Sequence, residues 1–121
     1  YTREFGLDQD GHLQPFFQPF DGVTMWTWEE KDLVLFEEKY TLFKRMTEGK
    51  RRKLGCYLYN FGEYRQATAE KVVWQLERYA ACIRKHEVEG IILHTNAMAD
   101  LGYEAVEAAR AWILKHGDEP V

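Results

Sequence analysis

Three apolar runs, Val23–Trp28, Leu54–Phe61 and Gly90–His94, are each followed by a stretch in which apolar residues return every three to four positions. A short apolar run bounded by turn residues suits a strand, whereas a sustained 3.6-residue stripe suits a helix, so the alternation dictates βα units. The runs begin at Val23, Leu54 and Gly90, a recurrence of roughly 30–40 residues that matches one βα repeat. Gly90-Ile-Ile-Leu has no polar alternation, as expected of a parallel strand covered on both faces. Consecutive parallel strands joined by helices are expected to wind right-handed.

The first helix is predicted from about Glu29 to Met46, with Leu33, Phe36, Tyr40 and Phe43 on its buried stripe. Glu29 and Glu30 suit the positive end of its macrodipole, Lys44 and Arg45 its last turn, and Gly49 its stop. Gly62 ends the second strand, and a polar loop leads to Thr68 as N-cap of a helix carrying Val72, Leu76, Tyr79 and Ile83 on one face. The last helix is predicted over Tyr103–Lys115, with Ala105, Val106, Ala109, Trp112 and Ile113 buried and Gly117 as its C′ residue. Ahead of these units, Tyr1–Phe5 reads as the stub of an earlier strand. An Asp10–Gly11 turn follows it, then an aromatic stretch, Pro15–Phe20, suited to a short helix or a covering loop.

The pattern is an α/β chain of parallel βα repeats: a stub strand plus three units in a single domain over residues 1–121. Two architectures fit. One is the C-terminal part of a (β/α)8 TIM barrel, which in full needs about 250 residues. The alternative is a small open α/β sheet. The opening segment reads as the end of a strand, which favours the partial barrel.

Composition removes several function classes. A hydrophobic fraction of 45% with 30% charged residues is that of a folded chain. A net charge of −4 argues against nucleic acid. The basic run Lys50–Lys53 precedes a strand and reads as a solvated loop. No apolar stretch approaches the ~20 residues of a membrane span. The two cysteines, Cys56 and Cys82, sit among apolar neighbours and read as buried thiols.

The segments VTMWTW (Val23–Trp28), LGCYLYNFG (Leu54–Gly62) and GIILHTNAMADLG with YEAVEAARAW (Gly90–Trp112) resemble the closing half of glycoside-hydrolase-like (β/α)8-barrel proteins of bacteria. The likeness runs as a pattern over about Tyr1–Gly117. It implies a carbohydrate ligand at the C-terminal ends of the strands. In the family the second strand more often ends in Trp-Asp; Tyr59-Asn60 stands there in this chain. The carboxylate of that pattern is therefore absent here, which weighs against turnover.

Barrel function resides at strand C-termini. Period two puts Thr24, Trp26 and Trp28 on one face, with Gly55, Tyr57 and Tyr59, and with Ile92, His94 and Asn96. These sets are expected to face the barrel interior; Val23, Met25, Cys56, Leu58, Ile91 and Leu93 are expected to face the helices. Trp26, Trp28 and Tyr59 are candidate sugar-stacking residues, since flat rings cover the C–H faces of sugars. Asn60 and Asn96 are candidates for orienting ligand hydroxyls. Glu4, after the stub strand, and His94 are each candidates for acid–base work, with Glu29 and Glu63 as further carboxylates; spacing alone assigns no pair.

No metal-ligand spacing is present, and the Asp8-Gln9-Asp10-Gly11 run lacks the sixth-position glycine and twelfth-position glutamate of a calcium loop. Neither a phosphate loop nor a nucleophile elbow occurs. No cofactor is expected. The reading is a carbohydrate-active barrel that binds or hydrolyses a sugar or oligosaccharide. The alternatives are a non-catalytic carbohydrate-binding barrel and a small protein-interaction module. No nucleic acid or membrane partner is expected. Unpaired sheet edges favour self-association.

Overall fold

The computed structural model describes residues 13–96 and 99–120. The stub strand, the Asp10–Gly11 turn and Glu4 lie outside them. A short helix α1 (Gln14–Phe17) leads into strand β1 (Gly22–Trp26). A 3₁₀ turn (Glu30–Leu35) then enters α2 (Phe36–Met46), and β2 (Arg51–Tyr57) follows. A small hairpin of β3 (Tyr59–Asn60) and β4 (Arg65–Gln66) precedes α3 (Ala69–Arg84). Strand β5 (Gly90–His94) and helix α4 (Glu104–His116) follow.

The sheet is β1-β2-β5, parallel throughout. Trp26 registers with Gly55, Leu54 with Ile91, and Tyr57 with His94. This is a small α/β fold whose three strands do not close into a barrel. Strand order follows chain order without reversal, so crossovers of one hand bring the helices to one face. One core accordingly joins Met25, Leu54, Cys56 and Leu58 of the sheet side to Phe36, Tyr40 and Phe43 of α2, Val72, Leu76 and Tyr79 of α3, and Ala105, Val106 and Ala109 of α4. Leu54 and Cys56 are fully buried there.

The helices follow their stripes in part: Ala105, Val106 and Ala109 of α4 are buried as expected, whereas Ile113, expected beside them, is 41% exposed and Trp112 is half-buried. In α3 the i, i+4, i+7 set Val72, Leu76 and Tyr79 is buried, as its period required. Across α2 and α3, the Arg78 guanidinium forks onto Glu37 at 2.5 and 2.8 Å and lies over the Phe36 ring at 5.6 Å. The predicted first helix divides in two: Glu30–Leu35 winds tightly and only Phe36–Met46 is α-helical. The tight turn buries Leu33 while leaving Val34 exposed, and it delivers Phe36 to the core directly after β1. Gly49 takes φ +76 beyond α2, a conformation that favours glycine. Gly117, expected as a left-handed C′ residue, instead keeps φ −62 and donates its N–H to Ile113 O at 2.7 Å. The helix closes with right-handed geometry there.

Candidate functional site

Opposite the helices, the sheet presents Thr24 and Trp26 of β1, Gly55 and Tyr57 of β2, and Ile92 and His94 of β5. None is fully covered except Gly55. Crossovers of βα units normally lead to burial of a parallel sheet on both sides; among the described residues, this face is only half-buried. Its side chains are largely aromatic.

Tyr57 is its hub. Its ring centroid lies 4.7 Å from Trp26, 5.6 Å from Trp28, 5.5 Å from Phe61 and 5.5 Å from His94. His94 also meets Trp26 at 6.1 Å and Phe61 at 5.4 Å. These separations are those of favourable tilted and edge-to-face pairs. Trp28 lies past the end of β1 and stacks on Phe61 at 6.2 Å. Tyr59 packs at 5.1 Å from Phe61 and stacks on Tyr103 at 6.2 Å.

The predicted residues that lie among the described ones separate into three groups. Trp26, Trp28 and His94 join one cluster through Tyr57, and Tyr59 joins it through Phe61. Asn60 is buried within the polypeptide: its carboxamide oxygen accepts from the Glu30 N–H at 3.5 Å, and its amide donates to Glu63. Asn96 is exposed at φ +52, beyond the end of β5. Glu4 lies outside the described residues.

Carboxylates gather where β1 ends. Glu30 is buried and accepts from the Thr68 N–H at 2.6 Å and the Thr68 hydroxyl at 2.7 Å, with Arg65 at 3.3 Å and Lys71 at 3.5 Å. Burial alone would push its carboxyl up. The two Thr68 hydrogen bonds and then the Lys71 and Arg65 charges outweigh that and hold it below the ordinary carboxylate value. Thr68 begins α3 as expected, yet its side chain makes no cap bond of its own; Glu30 takes the Thr68 N–H instead. Glu29 pairs with Lys31 at 2.5 Å, and Glu63 with Arg65 at 3.1 Å. Gly62 lets these segments meet, because a Cβ there would fall 2.4 Å from Glu29 Cγ and 2.9 Å from the Trp28 carbonyl oxygen. A crevice lined by Trp28, Tyr57, Tyr59, Asn60, Glu30 and Gln75 connects the carboxylate cluster to the aromatic one.

Glu29, Glu30 and Glu63 are thus each engaged by a cation or an amide, a poor state for a general acid. The aromatic face, by contrast, offers ring surface with an imidazole at its margin. Among the described residues no cluster of three side chains suits a metal ion, and no helix is long and apolar enough to cross a membrane.

Strand parity places Tyr57 on the inner face beside Gly55, but nothing in the sequence marks it as the hub. Phe61 and Glu30 were missed as members of this region. Phe61 shares the parity of Gly55, Tyr57 and Tyr59 and could have been found that way, although the strand itself ends at Tyr57 and the chain turns into the β3–β4 hairpin. Glu30 meets a partner 38 residues away in sequence, beyond the reach of any local pattern. No family model, no curated protein and no solved structure matches the chain.

Proposed function

We propose that the aromatic face binds a carbohydrate, in a sheet that forms one sector of a glycoside-hydrolase-like (β/α)-barrel. The observation that carries this reading is the placement of Tyr57 among Trp26, Trp28, Phe61 and His94 on the side of the sheet that, among the described residues, carries no helix. Barrel interiors are the helix-free side of a singly wound parallel sheet, and barrel ligands sit at strand C-termini. Tyr57, Trp28 and His94 occupy those ends. Aromatic rings offer flat apolar area to sugar C–H groups, while the tyrosine hydroxyl and the imidazole supply hydrogen bonds to sugar hydroxyls.

Binding is favoured over hydrolysis by the engaged state of Glu29, Glu30 and Glu63. Hydrolysis normally requires one carboxyl that can be protonated and a second across the bond. The test is calorimetric titration of the chain with soluble β-linked and α-linked oligosaccharides, followed by an assay for new reducing ends. Saturable binding to one series, lost in Tyr57→Ala and Trp28→Ala, supports the reading. Absence of binding across all series overturns it. Release of reducing ends turns the assignment to catalysis and directs attention to Glu4 and His94.

A further inference from the structure

A second cleft lies on the other side of the sheet, among the helices, and stands independently of the carbohydrate reading. It is a groove of about 350 Å³ between β5, α3 and α4, within the size range of small-molecule sites. Its floor is apolar: Leu76 and Ile83 of α3, Leu93 of β5, and Trp112 and Ile113 of α4. Its rim carries two basic groups, Arg84 from the last turn of α3 and His116 from the last turn of α4. Between them sits Glu119, with Oε2 at 3.0 Å from Arg84 Nη2 and Oε1 at 2.5 Å from His116 Nδ1. The far side of the imidazole faces Glu77 at 3.9 Å, and the same Glu77 oxygen accepts from the Trp112 indole N–H at 2.7 Å.

A carboxylate held by two basic groups at the mouth of an apolar groove has the anatomy of a bound carboxylic acid, with its acid head supplied here by Glu119, three residues beyond α4. We propose that this groove binds a small amphipathic carboxylate, of the class of medium-chain fatty acids, whose head group displaces Glu119 from Arg84 and His116. The acyl chain lies along Leu93, Ile83 and Trp112, where apolar area leaves water. Charge complementarity sets the head group, since Arg84 already donates one charge-assisted hydrogen bond to a carboxylate there. Glu119 is then an internal competitor, and its removal should strengthen binding.

The experiment is titration of the ¹⁵N-labelled chain with octanoate, following the Trp112 indole N–H resonance, assigned through Trp112→Phe. Saturable displacement of that resonance is expected. Glu119→Gln should bind octanoate about tenfold more tightly and Arg84→Gln about tenfold more weakly, the scale of a single charge-assisted hydrogen bond. Octanol, which has the chain without the charge, should bind no more tightly to Glu119→Gln than to the parent. The proposal is overturned if octanoate leaves the Trp112 resonance unmoved in both parent and Glu119→Gln. It is equally overturned if octanoate and octanol bind alike with no dependence on Arg84 or Glu119. Far-UV dichroism of each variant separates a local effect on the groove from loss of the fold.

Discussion

The indole of Trp26 lies across the backbone of Gly55, its register partner on β2, so closely that a Cβ at Gly55 would fall 2.2 Å from the indole Cδ2 and Cε3 atoms. The glycine is needed for the close approach of a neighbouring ring and not for unusual backbone angles. In the middle of a central strand a glycine otherwise weakens pairing. Its presence is explained by the ring it accommodates, and the ring in turn packs on Tyr57 and His94.

Gly55→Ala should therefore cost about 2 kcal/mol, in the range of overpacking changes that force a rigid side chain to move. Chemical denaturation measures it. The cost should fall to a small fraction in a Trp26→Ala background, because the clash partner is gone. An equal cost with and without Trp26 would show that the glycine serves the strand and not the ring. Trp26 fluorescence, isolated in a chain lacking the other three tryptophans, should redden in Gly55→Ala as the indole is pushed outward.

Glu30 gives the chain an acid-sensitive joint. Its folded carboxyl lies below the ordinary value of 4.5, so the unfolded state binds its proton more readily. The stabilisation it provides is complete above that value and is lost as pH falls through the depressed folded value. Glu30→Gln should be less stable than the parent by about 2 kcal/mol at neutral pH, the scale of hydrogen bonds to a charged group. The difference should shrink below about pH 4.5 and vanish once the parent carboxyl is protonated. Parallel urea titrations at several pH values would show this convergence; a constant gap down to low pH would contradict the assigned role.

Much of this architecture was legible in the sequence. The core stripes of α2 and α3 and the run Gly90–His94 could be read because side-chain period is a local property. The two faces of the sheet were legible for the same reason, with Met25, Cys56 and Leu54 on the helix side. The β3–β4 hairpin was not legible, since Gly62 reads as a strand stop and the positive φ of the turn, +53, falls on Tyr64 instead. Nor was the span of β2, which begins at Arg51, within the basic run expected to be a loop, and ends at Tyr57, placing Leu58 in a bend where its N–H donates to the His94 carbonyl at 2.9 Å. Asn60 looked available to a ligand in one dimension; its use by Glu30 and Glu63 depends on two segments meeting in three. The closure of a barrel is a property of more strands than the three described, so only the parallel sheet and its one-sided helices stand as observed.

The cysteines should be inert in the native chain. Cys56 and Cys82 are both free and fully buried. Desolvation pushes the Cys56 thiol up to about 12, so its thiolate is scarce at neutral pH, and the thiolate is the reactive form. A colorimetric thiol reagent should therefore label neither cysteine in mildly alkaline buffer and both in denaturant. The labelling rate should track unfolding as denaturant rises. Fast labelling of Cys56 without denaturant would mean that the central strand opens locally, contrary to its place at the centre of the core.

The sheet edges make a last prediction about association. Strands β1 and β5 flank β2, and the outer side of each is unpaired among the described residues. Ile92 stands on β5, on the aromatic face, and is 37% exposed. An edge strand beside an uncovered apolar face is a template for pairing with another chain. Sedimentation velocity should accordingly show concentration-dependent association in the micromolar range. Ile92→Lys places a charge where natural edge strands carry one. It should reduce association while changing stability by about 0.5 kcal/mol or less, because the position is already partly solvated. If the lysine variant associates as the parent does, the contact lies away from the β5 edge and the β1 edge becomes the surface to alter. If the parent stays monomeric at all concentrations, the aromatic face is stable in water on its own. That result would favour a small ligand such as a sugar over a second polypeptide as its natural cover.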